Sequence, residues 1–244
     1  TYAVTFDGRT ILDASPLSLT LDNGTTWGAD PRVAGVTRTS ADKMIASPFY
    51  RADSIRDHYN ALTLRMKGDW SAEFRAYDDG VAYRFVSRAK KPFNIVSEQA
   101  DFRFPADLEA TVPYVARGKE GDFDDQFYNS FENTYTTARL SELNSGRLMF
   151  LPLVVDAGDG VKVCITETDL ENYPGLYLTN AGAAKNGLKG VFAPYPEKQE
   201  QGGHNRLQML VRERKDLIAK VDAPRAFPWR VAIVGSDTDL AASN

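Results

Sequence analysis

Few side chains in this sequence combine a reactive type with a spacing that could do chemistry, and the spacing settles most of them. Cys164 is the single cysteine, so there is no internal disulfide framework and no multi-cysteine zinc or iron–sulfur site. It reads as a small buried side chain, the usual state of a free cysteine. His58 and His204 stand far apart without the H-E-x-x-H spacing of a helical zinc site, and each reads as structural. The segment from Gly118 to Asp125 gathers Glu120, Asp122, Asp124 and Asp125, a set that invites a calcium reading. It lacks the sixth-position glycine and twelfth-position glutamate of an EF-hand loop, so a solvated acidic loop is expected. Glu167 directly follows the apolar run Val161 to Thr166; by itself it reads as a solvated strand-end carboxylate. Trp27, Trp70 and Trp229 could stack on sugar rings, although tryptophan more often packs in a core or its rim. The sequence shows no nucleophile with its base, no glycine-rich phosphate loop and no haem motif.

The elements that must position these residues are strands. Tyr2, Val4 and Phe6 alternate before Asp7-Gly8, and Leu17, Leu19 and Leu21 alternate before Asp22-Asn23-Gly24. Asn23-Gly24-Thr25 is a glycosylation sequon as well, but turn chemistry already accounts for it. Ala29 to Arg56 is polar and has little periodicity; Leu62, Leu64 and Met66 then alternate up to Lys67-Gly68-Asp69. Glu73 to Tyr77, Asp78-Asp79-Gly80 and Val81 to Val86 spell a hairpin with Tyr83 and Phe85 on one face. Leu148 to Val155 and Val161 to Thr166 form a second hairpin about Asp156 to Gly160. Leu207 to Val221 fits a helical face and a strand about equally. Phe227 to Val234 reads as a strand, and Ser236 or Asp237 could cap a short helix from Thr238. Many short strands separated by Gly and Asp turns predict an all-β sandwich or barrel.

Composition agrees with a globular fold: 43% of the 244 residues are hydrophobic and 25% charged, enough for one sizeable core. A net charge of −4, with no long basic block, argues against nucleic acid as a partner. No run approaches the roughly 20 apolar residues of a membrane span, and no signal peptide opens the sequence. Thr1 leads straight into an alternating run, as if a leader had been removed.

Five motifs in order carry a resemblance to a known family. They are Ser15-Pro16-Leu17-Ser18-Leu19, Tyr59-Asn60-Ala61-Leu62, Phe74 to Arg84, Ile165-Thr166-Glu167 through Tyr173-Pro174-Gly175, and Pro228-Trp229-Arg230-Val231. Together they span nearly the whole chain, which resembles the N-terminal domain of glycoside hydrolase family 97. Ser18 and Thr168 depart from the commoner glycine and alanine.

That resemblance implies a β-super-sandwich of the galactose mutarotase-like kind with few short helices. It makes residues 1–244 one N-terminal domain of an exported, periplasmic bacterial α-glucosidase or α-galactosidase. The catalytic (β/α)8 barrel and a C-terminal β-domain would lie outside this chain, whose end at Asn244 would then fall just before the barrel. The catalytic carboxylates would belong to the barrel, so no catalytic residue is expected here. The partners implied are that barrel and, in the complete enzyme, an oligosaccharide substrate. The resemblance also implies an active-site calcium in the complete enzyme with Glu167 as one ligand, and no metal in this domain alone. Two other readings of a β-sandwich are a free-standing carbohydrate-binding module and a sugar mutarotase, which would need a histidine–glutamate pair in a cleft.

Overall fold

The computed structural model describes residues 1–182 and 186–243. Two antiparallel sheets face each other across the main apolar core, and Val115, Leu148, Phe150 and Tyr177 form a second, smaller buried cluster. The larger has ten strands, and its central run is Leu153–Gly158, Val161–Thr168, Trp229–Gly235, Gly80–Ser87 and Trp70–Tyr77. Glu109–Pro113 and Tyr135–Arg139 extend it on one side, Ser54–Met66 and Val33–Ala46 on the other. The smaller sheet has six strands built around Phe93–Arg103, which pairs with Leu17–Leu21, Gly187–Val191 and Ala219–Val221. Two hairpin ribbons, Tyr2–Phe6 with Arg9–Ser15 and Pro196–Gly202 with Gln208–Arg214, complete the β structure. The predicted β-super-sandwich is therefore the observed architecture, with two short α-helices among the described residues.

Alternation explains which side chains meet between the sheets. Val163 and Ile165 from one strand and Ala232 and Val234 from its neighbour are buried, and they belong to one core cluster with Leu19, Ile95, Ala100 and Phe102 of the opposing sheet. Period-two patterning sends Val163 with Ile165, Ala232 with Val234, and Ala100 with Phe102 to one face each, and a register shift between Ser97 and Ile95 brings Ile95 to the same side. The predicted hairpins form: Trp70–Tyr77 and Gly80–Ser87 turn at Asp78-Asp79, with Tyr83 and Phe85 both buried. Leu207 to Val221 is not a helix. A helical turn at His204–Arg206 precedes strands Gln208–Arg214 and Ala219–Val221. Ser236 caps helix Asp237–Ala242 by accepting from the Asp239 N–H.

Four local expectations need correction. Ala29 to Arg56, which shows little periodicity, contains the strand Val33–Ala46, paired with Ser54–Met66 along its length apart from a register shift between Val33 and Gly35. That strand is mostly exposed along its length, so no hydrophobic period marks it. The strand expected from Leu148 begins only at Leu153; before it, Met149 makes isolated bridges with Tyr114 and Leu178. Cys164 is half-buried instead of fully buried, and burial pushes its thiol pKa up. Finally, Glu167 does not follow the strand but lies within Val161–Thr168, two residues on from Ile165.

Asp101 offers a pH test of the packing. Its Oδ2 accepts from Gln99 Nε2 at 3.1 Å, while Oδ1 is buried with no hydrogen-bond partner among the described residues. Burial raises its pKa, with Gln99 and then Arg103 and Lys189 working the other way. A carboxyl whose folded pKa is raised penalises the fold when ionised, and the penalty fades as pH falls through the folded pKa. Asp101→Asn is accordingly expected to raise the unfolding midpoint at pH 7 and to lose that advantage below about pH 4. Thermal unfolding at both pH values checks this; a difference that does not change with pH would refute it.

Candidate functional site

Strand Val161–Thr168 pairs with Trp229–Gly235 in a register that sets Glu167 opposite Arg230. Arg230 is in phase with Ala232 and Val234, and Glu167 with Val163 and Ile165, so both charged side chains lie on the apolar inner face. Across the core, Glu98 is likewise in phase with buried Ala100 and Phe102 of the smaller sheet. The three meet. Arg230 Nε and Nη2 donate to Glu98 Oε1 and Oε2, both at 2.8 Å, and Nη1 donates to Glu167 Oε2 at 2.5 Å. The Tyr173 hydroxyl donates to Glu98 Oε2 at 2.8 Å, and the Leu176 N–H donates to Glu167 Oε1 at 2.8 Å.

This cluster is largely buried, with Glu167 its most exposed member. Side-chain exposure is 1% for Arg230, 3% for Glu98 and 13% for Glu167. The rings of Phe192 and Tyr173 lie 5.0 and 5.8 Å from the guanidinium. Burial acts to lower the Arg230 pKa, but Glu98 and then Glu167 outweigh it and hold the guanidinium above its ordinary value. Burial pushes the Glu167 carboxyl up, against the opposing pull of Arg230 and the Leu176 N–H. Burial likewise raises the Tyr173 phenol, helped by the charge of Glu98.

The segment after Glu167 is folded back onto it. Asp169 and Asn172 adopt positive φ (63° and 47°), the left-handed conformation that Asp and Asn tolerate best after glycine. Arg225 Nη2 donates to the Glu171 carbonyl at 2.7 Å, and Tyr173 is buried. A Cβ at Gly175 would stand 3.3 Å from Glu167 Oε1, so the glycine permits this close approach.

A calcium ion takes about 6–8 oxygen ligands. Each oxygen of Glu167 accepts one hydrogen bond, Oε2 from the Arg230 guanidinium and Oε1 from the Leu176 N–H, and each keeps a second lone pair, so an ion there would share the carboxylate with a buried cation and draw its remaining ligands from outside this chain. No group of three or more His, Cys, Asp or Glu side chains among the described residues could hold a metal.

The other singled-out residues do not join this cluster. Within the exposed acidic loop, Asp122 caps a helical turn by accepting from the Asp125 N–H, and Asp125 accepts from the Lys119 N–H at 2.7 Å. His58 lies 3.2 Å from Asp78 on an exposed surface, and His204 is exposed, so neither forms the cleft pair a mutarotase needs. The tryptophans are at most 7% exposed. Trp27 and Trp70 stack at 5.6 Å and 5°, and Trp229 lies between Arg75 and Arg84 at 4.7 and 4.3 Å. None offers a free face to a sugar, so the binding-module reading loses its platform. Sequence reasoning left Glu98 and Arg230 without a role. A usable signal was present: each stands on the inward phase of a strand, where an unpaired charge is not tolerated.

Comparison with known proteins places this geometry in context. Residues 1–244 match the family described as Glycosyl-hydrolase 97 N-terminal. The "Retaining alpha-galactosidase" of Bacteroides thetaiotaomicron is 64% identical over 245 residues, covering 100% of this chain and 37% of that protein. A "Probable retaining alpha-galactosidase" of Streptomyces bingchenggensis is 29% identical over 180 residues, covering 65% of this chain and 27% of the other. A Glycoside Hydrolase Family 97 enzyme of Pseudoalteromonas sp. strain K8, solved with acarbose, shares the fold at TM-score 0.74 and 20% identity. The alignment covers 98% of this chain and 33% of that one. A beta-arabinopyranosidase shares it at TM-score 0.75 and 22% identity, over 96% of this chain and 36% of the other. The chain thus spans about a third of the length of the curated relatives and solved structures it matches.

Proposed function

Since this chain belongs to glycoside hydrolase family 97 as its N-terminal domain, we propose that it is the non-catalytic part of an exported bacterial, exo-acting retaining α-galactosidase, and that its partner is its own catalytic barrel. The observation that carries the substrate class is the 64% identity, across the whole of this chain, to a protein named as a retaining α-galactosidase. Retention needs two carboxyl groups about 5–5.5 Å apart with a sugar between them. The pair here, Glu98 and Glu167, is bridged by the Arg230 guanidinium, which fills the space between the two carboxylates and leaves no room for a sugar ring. On this reading the nucleophile and the acid/base carboxyl belong to the barrel, at the C-terminal ends of its strands. The calcium that the family resemblance implies, and the oligosaccharide substrate, belong to the complete enzyme.

The test is an assay of the complete protein and of this 244-residue chain side by side on nitrophenyl α-galactoside and nitrophenyl α-glucoside. The complete protein is expected to release nitrophenol from the galactoside, with the α-anomer as first product by NMR, while the chain by itself releases none. Preference for the glucoside would overturn the substrate class, and release by the chain alone would overturn the non-catalytic role.

A further inference from the structure

We infer that the projecting end of the hairpin Val33–Ala46 and Ser54–Met66 is the surface on which the domain that follows this chain in the complete protein docks. The inference rests on the family reading above for the existence of that domain, and goes beyond it by naming where the contact lies.

The hairpin outruns its sheet. Val33–Ala46 is the outermost strand, and Trp70–Tyr77 pairs with the inner strand only over residues 60–65, so residues 54–59 are held by residues 41–46 alone. Six residues of each strand, about 20 Å, project as a two-stranded ribbon, which is only marginally stable in water without a surface to pack on. Its apolar side chains are turned outward. Met44 and Ile45 point to opposite faces of the ribbon and both are exposed, while in the connection 47–53 Phe49 is fully exposed and Tyr50 partly so. Residues 42–57 carry three Lys and Arg against three Asp, and two of these pairs close on the ribbon itself, Arg56 with Asp42 at 2.7 Å and Lys43 with Asp57 at 3.7 Å. A neutral ribbon with apolar residues on both faces and at its tip fits an apolar partner surface, not a charged one.

The hydrogen bonds of the tip indicate which partner. Arg51 donates through Nη1 to the Ala241 carbonyl at 2.8 Å and through Nη2 to those of Ala242 and Ser243, both at 2.7 Å. The Ser243 hydroxyl in turn donates to Asp79 Oδ2 at 2.7 Å. The tip is thus clasped to the segment that follows helix Asp237–Ala242. This chain aligns with 37% of the Bacteroides relative and matches the N-terminal part of the family, so in the complete protein the polypeptide continues from this clasp. The next domain is therefore tethered beside the ribbon, at an effective concentration that a free partner or a second copy does not reach.

The test uses the complete protein with benzoylphenylalanine, a photo-crosslinking residue, incorporated at position 49. Irradiation is expected to join that position to peptides from beyond residue 244 of the same polypeptide, at a yield independent of protein concentration. Peroxide oxidation of Met44, read by peptide mass spectrometry, is expected to run about tenfold or more slower than that of free methionine, because docking shields the thioether. A crosslinked dimer whose yield falls on dilution would give the ribbon to a second copy and overturn the inference. Met44 oxidation within about threefold of the free amino acid would leave the ribbon in water and overturn it as well. Neither readout depends on which glycoside is cleaved, and the crosslinked peptides identify the docked domain, so this inference and the family reading fail separately.

Discussion

Replacing Arg230 with methionine is expected to destabilise this chain by about 3–5 kcal/mol, a large share of the roughly 5–15 kcal/mol that holds a domain folded. The substitution preserves much of the side-chain volume, so the loss does not come from a cavity. It comes from Glu98 and Glu167, which would be left buried with their common counter-ion removed. Burial already pushes the Glu167 carboxyl up with Arg230 in place, and without it protonation becomes the cheapest relief. Urea denaturation of parent and variant at pH 7 gives the difference directly. A triple replacement of Glu98, Arg230 and Glu167 by apolar residues of similar volume should recover much of the loss, because a buried ion cluster holds little net stability over a well-packed apolar one. A loss below about 1 kcal/mol for Arg230→Met would show that the Glu98–Arg230–Glu167 cluster is solvated or rearranged in solution.

Trp27→Ala is the second large effect, about 3–5 kcal/mol. Its indole stacks on Trp70 and makes tilted or edge contacts with Phe85, Phe93 and Phe227 at 5.7–6.5 Å, so truncation leaves a void walled by four rings. Rigid aromatic walls collapse poorly into such a space, which puts the cost at the upper part of the range for core truncations. Denaturant titration measures it. The same residue separates the core reading from sugar stacking: parent fluorescence should not change on adding oligosaccharide, since neither face of the ring is open. A saturable fluorescence change would place a sugar on one of the three tryptophans.

The Glu98–Arg230–Glu167 cluster also shows why a sequence motif can single out a residue and stay silent about its contacts. Ile165-Thr166-Glu167 and Pro228-Trp229-Arg230 are two of the motifs that carry the family resemblance, yet nothing in either string says that they sit side by side. Antiparallel register brings them together over 63 residues of separation, and the opposing sheet adds Glu98 across a separation of 132. Only the inward phase of each charged residue was available beforehand, and it points to burial without naming a partner.

By itself the sequence determined the all-β class, the hairpins at Asp78-Asp79 and near Gly160, the tryptophans as packing residues and the capped helix at Ser236. Each rests on local physics: alternation over a half-buried surface, left-handed turn residues, or a side chain that satisfies a nearby N–H. Tertiary structure alone decided the long strand Val33–Ala46, whose exposed faces impose no hydrophobic period. It also decided where Val161–Thr168 ends, because pairing with Arg230 and Trp229 carries the strand two residues past its apolar run. Above all it decided the state of Glu167, which local reasoning puts in water. A carboxylate turns inward when a guanidinium waits there to offset its desolvation, and that compensation depends on two strands and a second sheet distant in sequence.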